Sequence, residues 1–409
     1  MKVNVYMQKH CQMMLDKDLF KSKVIEAQDY VRKIYRELHQ CPELSFEEKD
    51  TAEVIKRELD GMGVEHRDNI GGFGVLAVLK CKNPESRCIA LRADMDALPI
   101  EEDTGLPFSS KREGVMHACG HDSHMATLLG IIKVLKQYTD KLSGTLLFVF
   151  QPGEEKDPGG ASLMLKDGVF RDYVPQVVLG QHSSADHKVG DVVFAPGVVM
   201  SSADEIHLTI SGKGGHGAMP HLLNDTVLCA SQIVVSLQQV SSRLANPFSP
   251  TVVTIGRFIA DGAMNIIPDK VYLAGTIRTM DEKWRGEAKA AVRKIAEETA
   301  EAYGCKCEMR KLEGYPAVKN DEKVTAQMRE FAKEIVGEEH VGDMPKKMTS
   351  EDFAFYTLEY PCCFFRFGVR GEENPDCGGQ HTPTFKIDEN AFVTSVEVMG
   401  WLAARYLGE

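Results

Sequence analysis

Three apolar runs of strand length end in acids or a histidine, and that repetition constrains the fold more than anything else in the chain. Cys88–Leu91 leads into Arg92-Ala93-Asp94-Met95-Asp96, Thr145–Phe150 stops at Gln151-Pro152-Gly153-Glu154-Glu155, and Val177–Leu179 runs on to Gly180-Gln181-His182. Runs without polar alternation are buried on both faces, as strands of a parallel sheet are. Between them Leu128, Leu129, Ile132 and Leu135 recur at helical spacing. Strands alternating with helices imply an α/β chain whose mostly parallel sheet is flanked by helices, with ligands collecting outside the carboxyl ends of the strands. Acids and an imidazole therefore converge on one edge.

Just before that helical run stands His117-Ala118-Cys119-Gly120-His121-Asp122-Ser123-His124. Helical spacing from Met125 onward places Asp122 or Ser123 near the N-cap and leaves Cys119 and His121 at the helix start. A thiolate and an imidazole two residues apart suit Zn, Co, Ni or Mn. The same residues also read as a buried thiol with capping histidines. Glu154 and Glu155 repel each other unless a cation lies close. A divalent ion resolves the repulsion, one carboxylate ligating it while the other takes a proton from water. Taken alone, the pair reads equally as a solvated turn. Asp94 and Asp96 stay open as metal ligands, as orienters of a histidine, or as turn formers before Pro99. His182 and His381 are weak singly; their joint occurrence at strand and helix ends gives them weight.

From about Val193 the pattern changes. Strand-like Ile206–Ile210, helical 224–243, strands Val252–Phe258 and Val271–Thr279, helical 282–303 and strand Cys305–Leu312 follow in the order βαββαβ, the ferredoxin-like arrangement. Helical patterning resumes at 320–336 and 389–407, around the apolar run Cys362–Phe367. The chain thus reads as a larger domain, 1–192 and 313–409, with a smaller one inserted at 193–312. Glycines around His216 let the backbone approach a ligand closely. Asn265 and Arg278 are polar groups in apolar strand surroundings, and Arg278 is suited to bidentate grip of a carboxylate. Earlier, residues from about Leu19 to Gln40 read as one helix, and a second follows Ser45.

A net charge of −12 argues against nucleic acid and anionic membrane surfaces as partners. Eleven scattered cysteines without a C-x-x-C pair fit a reduced cytoplasm better than a disulfide framework. The first twenty residues show no secretory pattern, and no apolar run approaches the roughly 18 residues that a membrane span needs.

Taken in order, Arg92–Pro99, His117–His124, Phe150–Glu155, Gly214-Gly215-His216 and Ser350-Glu351-Asp352-Phe353-Ala354 resemble the M20 family of metallopeptidases. More narrowly they resemble its amidohydrolase branch, which includes hippurate hydrolases, N-acyl-amino-acid amidohydrolases and indole-acetyl-amino-acid hydrolases. The resemblance runs from about residue 30 to 405. It implies a zinc-exopeptidase-like catalytic domain with an inserted ferredoxin-like dimerisation domain. It implies two divalent metal ions per subunit (Zn, Mn, Ni or Co), held by Cys119, His121, Glu155, His182 and His381. Glu154 would be the base and Asp96 the support of a ligand. His216 would reach a partner subunit's site, with Asn265 and Arg278 as its companions on the substrate, in a homodimer or a tetramer built from it. The implied reaction is hydrolysis of an N-acyl amino acid; a dipeptidase or aminopeptidase with the same machinery is the alternative, and a noncatalytic metal or small-ligand binding protein the remote one. Gly153 and Gly217 stand where alanine is commoner, and Gln181-His182-Ser183 is an unusual setting for the fourth ligand.

Overall fold

The apolar runs become the centre of an eight-stranded sheet because both of their faces are covered. The computed structural model describes residues 15–310, 313–372 and 375–408. Across the sheet the strands are Glu65–Ile70, Gly74–Lys80, Thr145–Gln151, Cys88–Asp94, Val177–Lys188, Cys362–Arg370, Val192–Phe194 and Val341–Asp343. The middle four run parallel, joined by the pairings Leu91–Phe148, Leu91–Leu179 and Phe364–Gly180. Antiparallel strands extend them on either side. Asp94 pairs with Gln151 as the last residue of its strand, so the acid ends the strand itself. The strand begun at Val177 continues past His182 to Lys188.

Helix His121–Leu135 is buried at every residue except Lys133. It lies between helices Gln28–Gln40 and Ala391–Gly408. A Cβ at Gly130 would come within 2.5 Å of Val31, so glycine is what allows this close approach. Leu128, Leu129, Ile132 and Leu135 are essentially inaccessible, and truncating one of them to alanine would cost about 2–5 kcal/mol.

The single helix read over 19–40 is in fact two, Lys17–Glu26 and Gln28–Gln40. The amide of Ala27 is shared between the carbonyls of Lys23 and Val24, and the Gln28 side chain donates to Val24 O. That tightening ends the first helix without disturbing the apolar stripe, which continues from Phe20 and Val24 to Val31, Ile34 and Leu38.

The chain divides into two compact units, Met1–Gly197 with Lys319–Pro345 and Phe355–Glu409, and Val198–Val318 with Lys346–Ala354. In the second unit the strands lie in the order Thr251–Ile259, Lys270–Thr279, Ala203–Ser211, Lys306–Met309, every pair antiparallel. With helices Thr226–Leu237 and Glu282–Ala302 this is a ferredoxin-like βαββαβ unit. Strand alternation fixes its register: Ile206, Leu208 and Ile210 are buried, while Glu205, His207 and Thr209 face outward. Lys311 and Leu312, read as the end of the last strand, lie outside the described residues. Among the described residues no helix is long and apolar enough to cross a membrane.

Candidate metal centre

The helix that carries the motif begins at His121, capped by Gly120 with φ +93°, rather than at Asp122 or Ser123. Ser123 is drawn inward: its hydroxyl donates to Gly120 O at 2.6 Å, and its amide donates to Asp122 Oδ1. His121 and His124, three residues apart, therefore share one buried helix face.

His121 is oriented by Asp96. Its Nδ1 lies 2.9 Å from Asp96 O and 3.3 Å from Asp96 Oδ1, which assigns the Nδ1 proton there and leaves Nε2 as the lone pair. That Nε2 is buried without a hydrogen-bond partner. It stands 4.0 Å from Glu155 Oε1, another buried atom with no aligned donor. His381 Nε2 lies 3.1 Å from the same oxygen, and the His381 amide donates to Ala118 O. His182 donates from Nδ1 to Ser183 O at 2.9 Å and turns Nε2 to within 3.5 Å of Cys119 Sγ. Cys119, Glu155 and His381 offer ligand atoms within 4.8 Å of one another, as do His121, Glu154 and Glu155. The five residues singled out as ligands thus meet in the first unit, with Glu154 buried beside them.

Where no ion is bound, protons hold the gathering together. Burial pushes the Cys119 thiol up, with Glu155 adding to the effect, although only a thiolate ligates well. Cys119 and Glu155 push His381 up to about 10. Burial alone would lower His121, yet Asp94 and Cys119 hold it well above the imidazole range. Protons on these groups occupy the donor atoms that a divalent ion would take. A mixed sulfur, nitrogen and oxygen set that leaves the buried Nε2 of His121 without a hydrogen-bond partner fits such an ion.

Asp94 and His124 belong to the frame. Asp94 Oδ1 is 2.6 Å from His124 Nδ1 and Oδ2 is 2.6 Å from Arg92 Nη1, while His124 Nε2 accepts the Ser183 amide at 2.9 Å. With both ring nitrogens engaged, His124 holds Asp94 and the His182 strand in place. Burial opposes ionisation of Asp94, but Arg92, His121 and His124 outweigh it and hold its carboxyl well below the usual range.

The remaining singled-out residues lie in the second unit. His216 is exposed, pairs with Ile266 in a short two-stranded ribbon and accepts the Ala218 amide at Nδ1. Gly217 N donates to Asn265 O, so His216 and Asn265 are neighbours. Arg278 is half-buried, donates to Met348 O at 3.1 Å, and lies eight residues along its strand from Lys270.

Residues 90–405 match peptidase family M20/M25/M40. The chain belongs to the M20 family. It is 39% identical over 360 residues to the N-acetyl-L-cysteine deacetylase of Bacillus subtilis (strain 168), covering 88% of this chain and 84% of that one. It is 34% identical over 383 residues to IAA-amino acid hydrolase ILR1-like 5 of Arabidopsis thaliana, covering 93% and 87%. The structure of the Bacillus subtilis YXEP protein, described as a dinuclear metal binding peptidase from the M20 family, superposes with a TM-score of 0.79 at 33% identity, over 95% of this chain and 99% of that one. This M20 chain is a metal-dependent amide hydrolase.

Reading the M20 sequence alone missed two features beside the centre. His117 is buried with both ring nitrogens unpartnered, and burial lowers it to about 4. His39, in the last turn of its helix, is buried between Asp122 and Glu102. Helical spacing carries a signal for His124 beside His121, but none for His39, which is 83 residues from its partner Asp122.

Proposed function

We propose that this M20 chain hydrolyses the amide joining an acyl group to an amino acid, releasing a carboxylic acid and a free amino acid. What carries the reading is buried Glu154 and its partly exposed neighbour Glu155 beside the unpartnered Nε2 of His121. The relatives named as an N-acetyl-L-cysteine deacetylase and an IAA-amino acid hydrolase support the substrate class.

Cys119, His121, Glu155, His182 and His381 would hold two divalent ions, Glu155 lying within reach of both ligand groups. When bound, such ions polarise the amide carbonyl and lower the pKa of water. Glu154 takes the proton of the attacking water and delivers it to the leaving nitrogen as the C–O bond forms and the C–N bond breaks. Asp96 holds His121 in the tautomer that leaves Nε2 available. His216 would bind the developing oxyanion, with Asn265 and Arg278 binding the substrate, Arg278 at its carboxylate. Lys270, at the end of the strand near Asp269 and the Gly214 amide, is about 26 Å from Arg278 at 3.3 Å per residue. Ends so far apart serve one small substrate most simply if two subunits supply them, which favours a homodimer through this unit.

A panel of acyl-amino acids and dipeptides, offered to metal-stripped protein with Zn, Mn, Ni or Co added back, tests the reading. Release of free amino acid from acyl-amino acids, dependent on added metal, is expected. Preferential cleavage of dipeptides would replace it with the exopeptidase reading. Arg278→Ala should raise KM about tenfold for substrates with a free carboxylate and leave KM for their methyl esters unchanged. An equal change for both would remove the carboxylate role.

A further inference from the structure

We propose that Glu48 is a positioning residue for the Glu154–Glu155 pair, the centre of a clamp formed by Glu43–Glu48 that grips both acid-bearing loops at their backbone. The inference rests on the reading of Glu154 as the base.

Glu48 occupies the N-cap position of helix Lys49–Met62, yet its side chain makes no capping bond. A carboxylate at a helix start ordinarily accepts the helix's own amides. This one is wholly inaccessible to solvent and turns away. Its Oε1 accepts the amide of Phe46 at 2.9 Å and the amide of Gly153 at 2.7 Å. Both donors are left-handed, Phe46 at φ +68° and Gly153 at φ +58°. A non-glycine residue in that region is strained and persists where its surroundings over-determine it. Here one oxygen ties the two together, and they sit face to face: a Cβ on Gly153 would lie 2.3 Å from the Phe46 ring. An alanine at this position could not be accepted without moving Phe46. Gly153 O accepts the Gly160 amide, so the residue that launches Glu154 is held at its amide, its carbonyl and its α-carbon.

A second arm reaches the far side of the pair. Ser45 Oγ donates to Asp96 Oδ2 at 2.6 Å, and the same oxygen accepts the Glu155 amide at 2.9 Å. The Ala97 amide donates to Glu43 O at 2.7 Å, docking the clamp on the loop that carries Asp96. The backbone is therefore fixed on both sides of Glu154, at Gly153 through Glu48 and at Glu155 through Asp96 and Ser45. Displacement of a reacting group by about 1 Å can cost on the order of 100-fold in rate, which gives such a clamp a kinetic consequence. The other carboxyl oxygen of Glu48 has no hydrogen-bond partner, and burial together with Asp96 pushes the group up to about 7. A neutral side chain that keeps one acceptor therefore resembles a form Glu48 itself visits near neutral pH.

Glu48→Ala and Glu48→Gln separate positioning from bulk structure when assayed as metal-loaded protein. Glu48→Ala is expected to lower kcat about 10- to 100-fold with KM within about threefold, unchanged metal stoichiometry and faster hydrogen exchange at the 153–155 amides. Glu48→Gln, which retains the acceptor, is expected to restore kcat to within about threefold and to restore the exchange protection. Ser45→Ala, a smaller change, should lower kcat about 3- to 10-fold with the same signature at Glu155, and it decides the matter if Glu48→Ala does not fold. A Glu48→Ala kcat within twofold of wild type, a loss that follows loss of metal, equal damage from Glu48→Gln, or unchanged exchange in Ser45→Ala overturns the proposal. Inactivity of wild-type protein on every acyl-amino acid would overturn the substrate reading instead; the exchange measurements need no substrate and still decide the clamp.

Discussion

Glu154→Gln is expected to lower kcat by about 10²–10⁴-fold while the protein keeps its full complement of metal. The argument is one of shape against chemistry. Glutamine fills the same buried space, so packing against the sheet edge is preserved, but an amide has no lone pair basic enough to take a proton from water. Glu154 is buried beside His121 and Glu155, whereas Glu155 is the carboxylate that also stands with Cys119 and His381. Removing the first should remove proton transfer; removing the second should remove metal. Metal analysis beside kcat on Glu154→Gln and Glu155→Gln separates the two roles. A Glu154→Gln enzyme within tenfold of wild type, or one that emerges metal-free, would discard the assignment of Glu154 as base.

Much of this arrangement was legible because burial leaves a plain mark on sequence. Strands covered on both faces have no polar alternation, so Thr145–Phe150 and Val177–Leu179 declare themselves, and the glutamates after the first and the histidine after the second mark the edge where chemistry gathers. The ferredoxin-like unit was legible for the complementary reason, that Ile206, Leu208 and Ile210 alternate with polar neighbours. Strand and helix ends were less so. Asp94 reads equally as a metal ligand, an orienter of a histidine or a turn former until its pairing with Gln151 is known, and Ala27 breaks a helix without any glycine or proline to announce it. The clamp left no mark at all. Glu43–Glu48 has neither period, and Glu48 looks like an ordinary acid at a helix start until Gly153, 105 residues away, is seen to donate to it. Partners that far apart are set by topology, which local spacing does not encode.

The same blindness hid His39, whose replacement by leucine should be among the most destabilising single changes in the first unit. Its Nδ1 lies 2.6 Å from Asp122 Oδ2 and its Nε2 3.2 Å from Glu102 Oε1, with all three side chains less than 5% exposed. Glu102 is further held by the Ser110 amide and the Thr104 hydroxyl. Burial on its own would lower His39, but Asp122 and Glu102 outweigh it and raise the imidazole from 6.5 to about 9. Burial likewise opposes ionisation of Glu102, and His39 with the Ser110 amide overcomes it, taking the carboxyl down to about 2. A raised imidazole contributes stability fully below its unfolded value near 6.5 and loses it as pH rises through 9. A depressed carboxyl contributes above its unfolded value near 4.5 and loses it as pH falls through 2. The network is therefore strongest between about pH 4.5 and 6.5. Leucine would leave two buried carboxylates without their cation, at a cost of about 3–5 kcal/mol. Thermal unfolding of metal-loaded His39→Leu should show a Tm well below wild type at pH 6, and the gap should narrow as pH approaches 9.5. Metal content must be matched between the two proteins, because bound ions raise Tm by mass action and Asp122 adjoins His121. A gap that stays constant over that range would mean that shape, and not charge, is what His39 contributes.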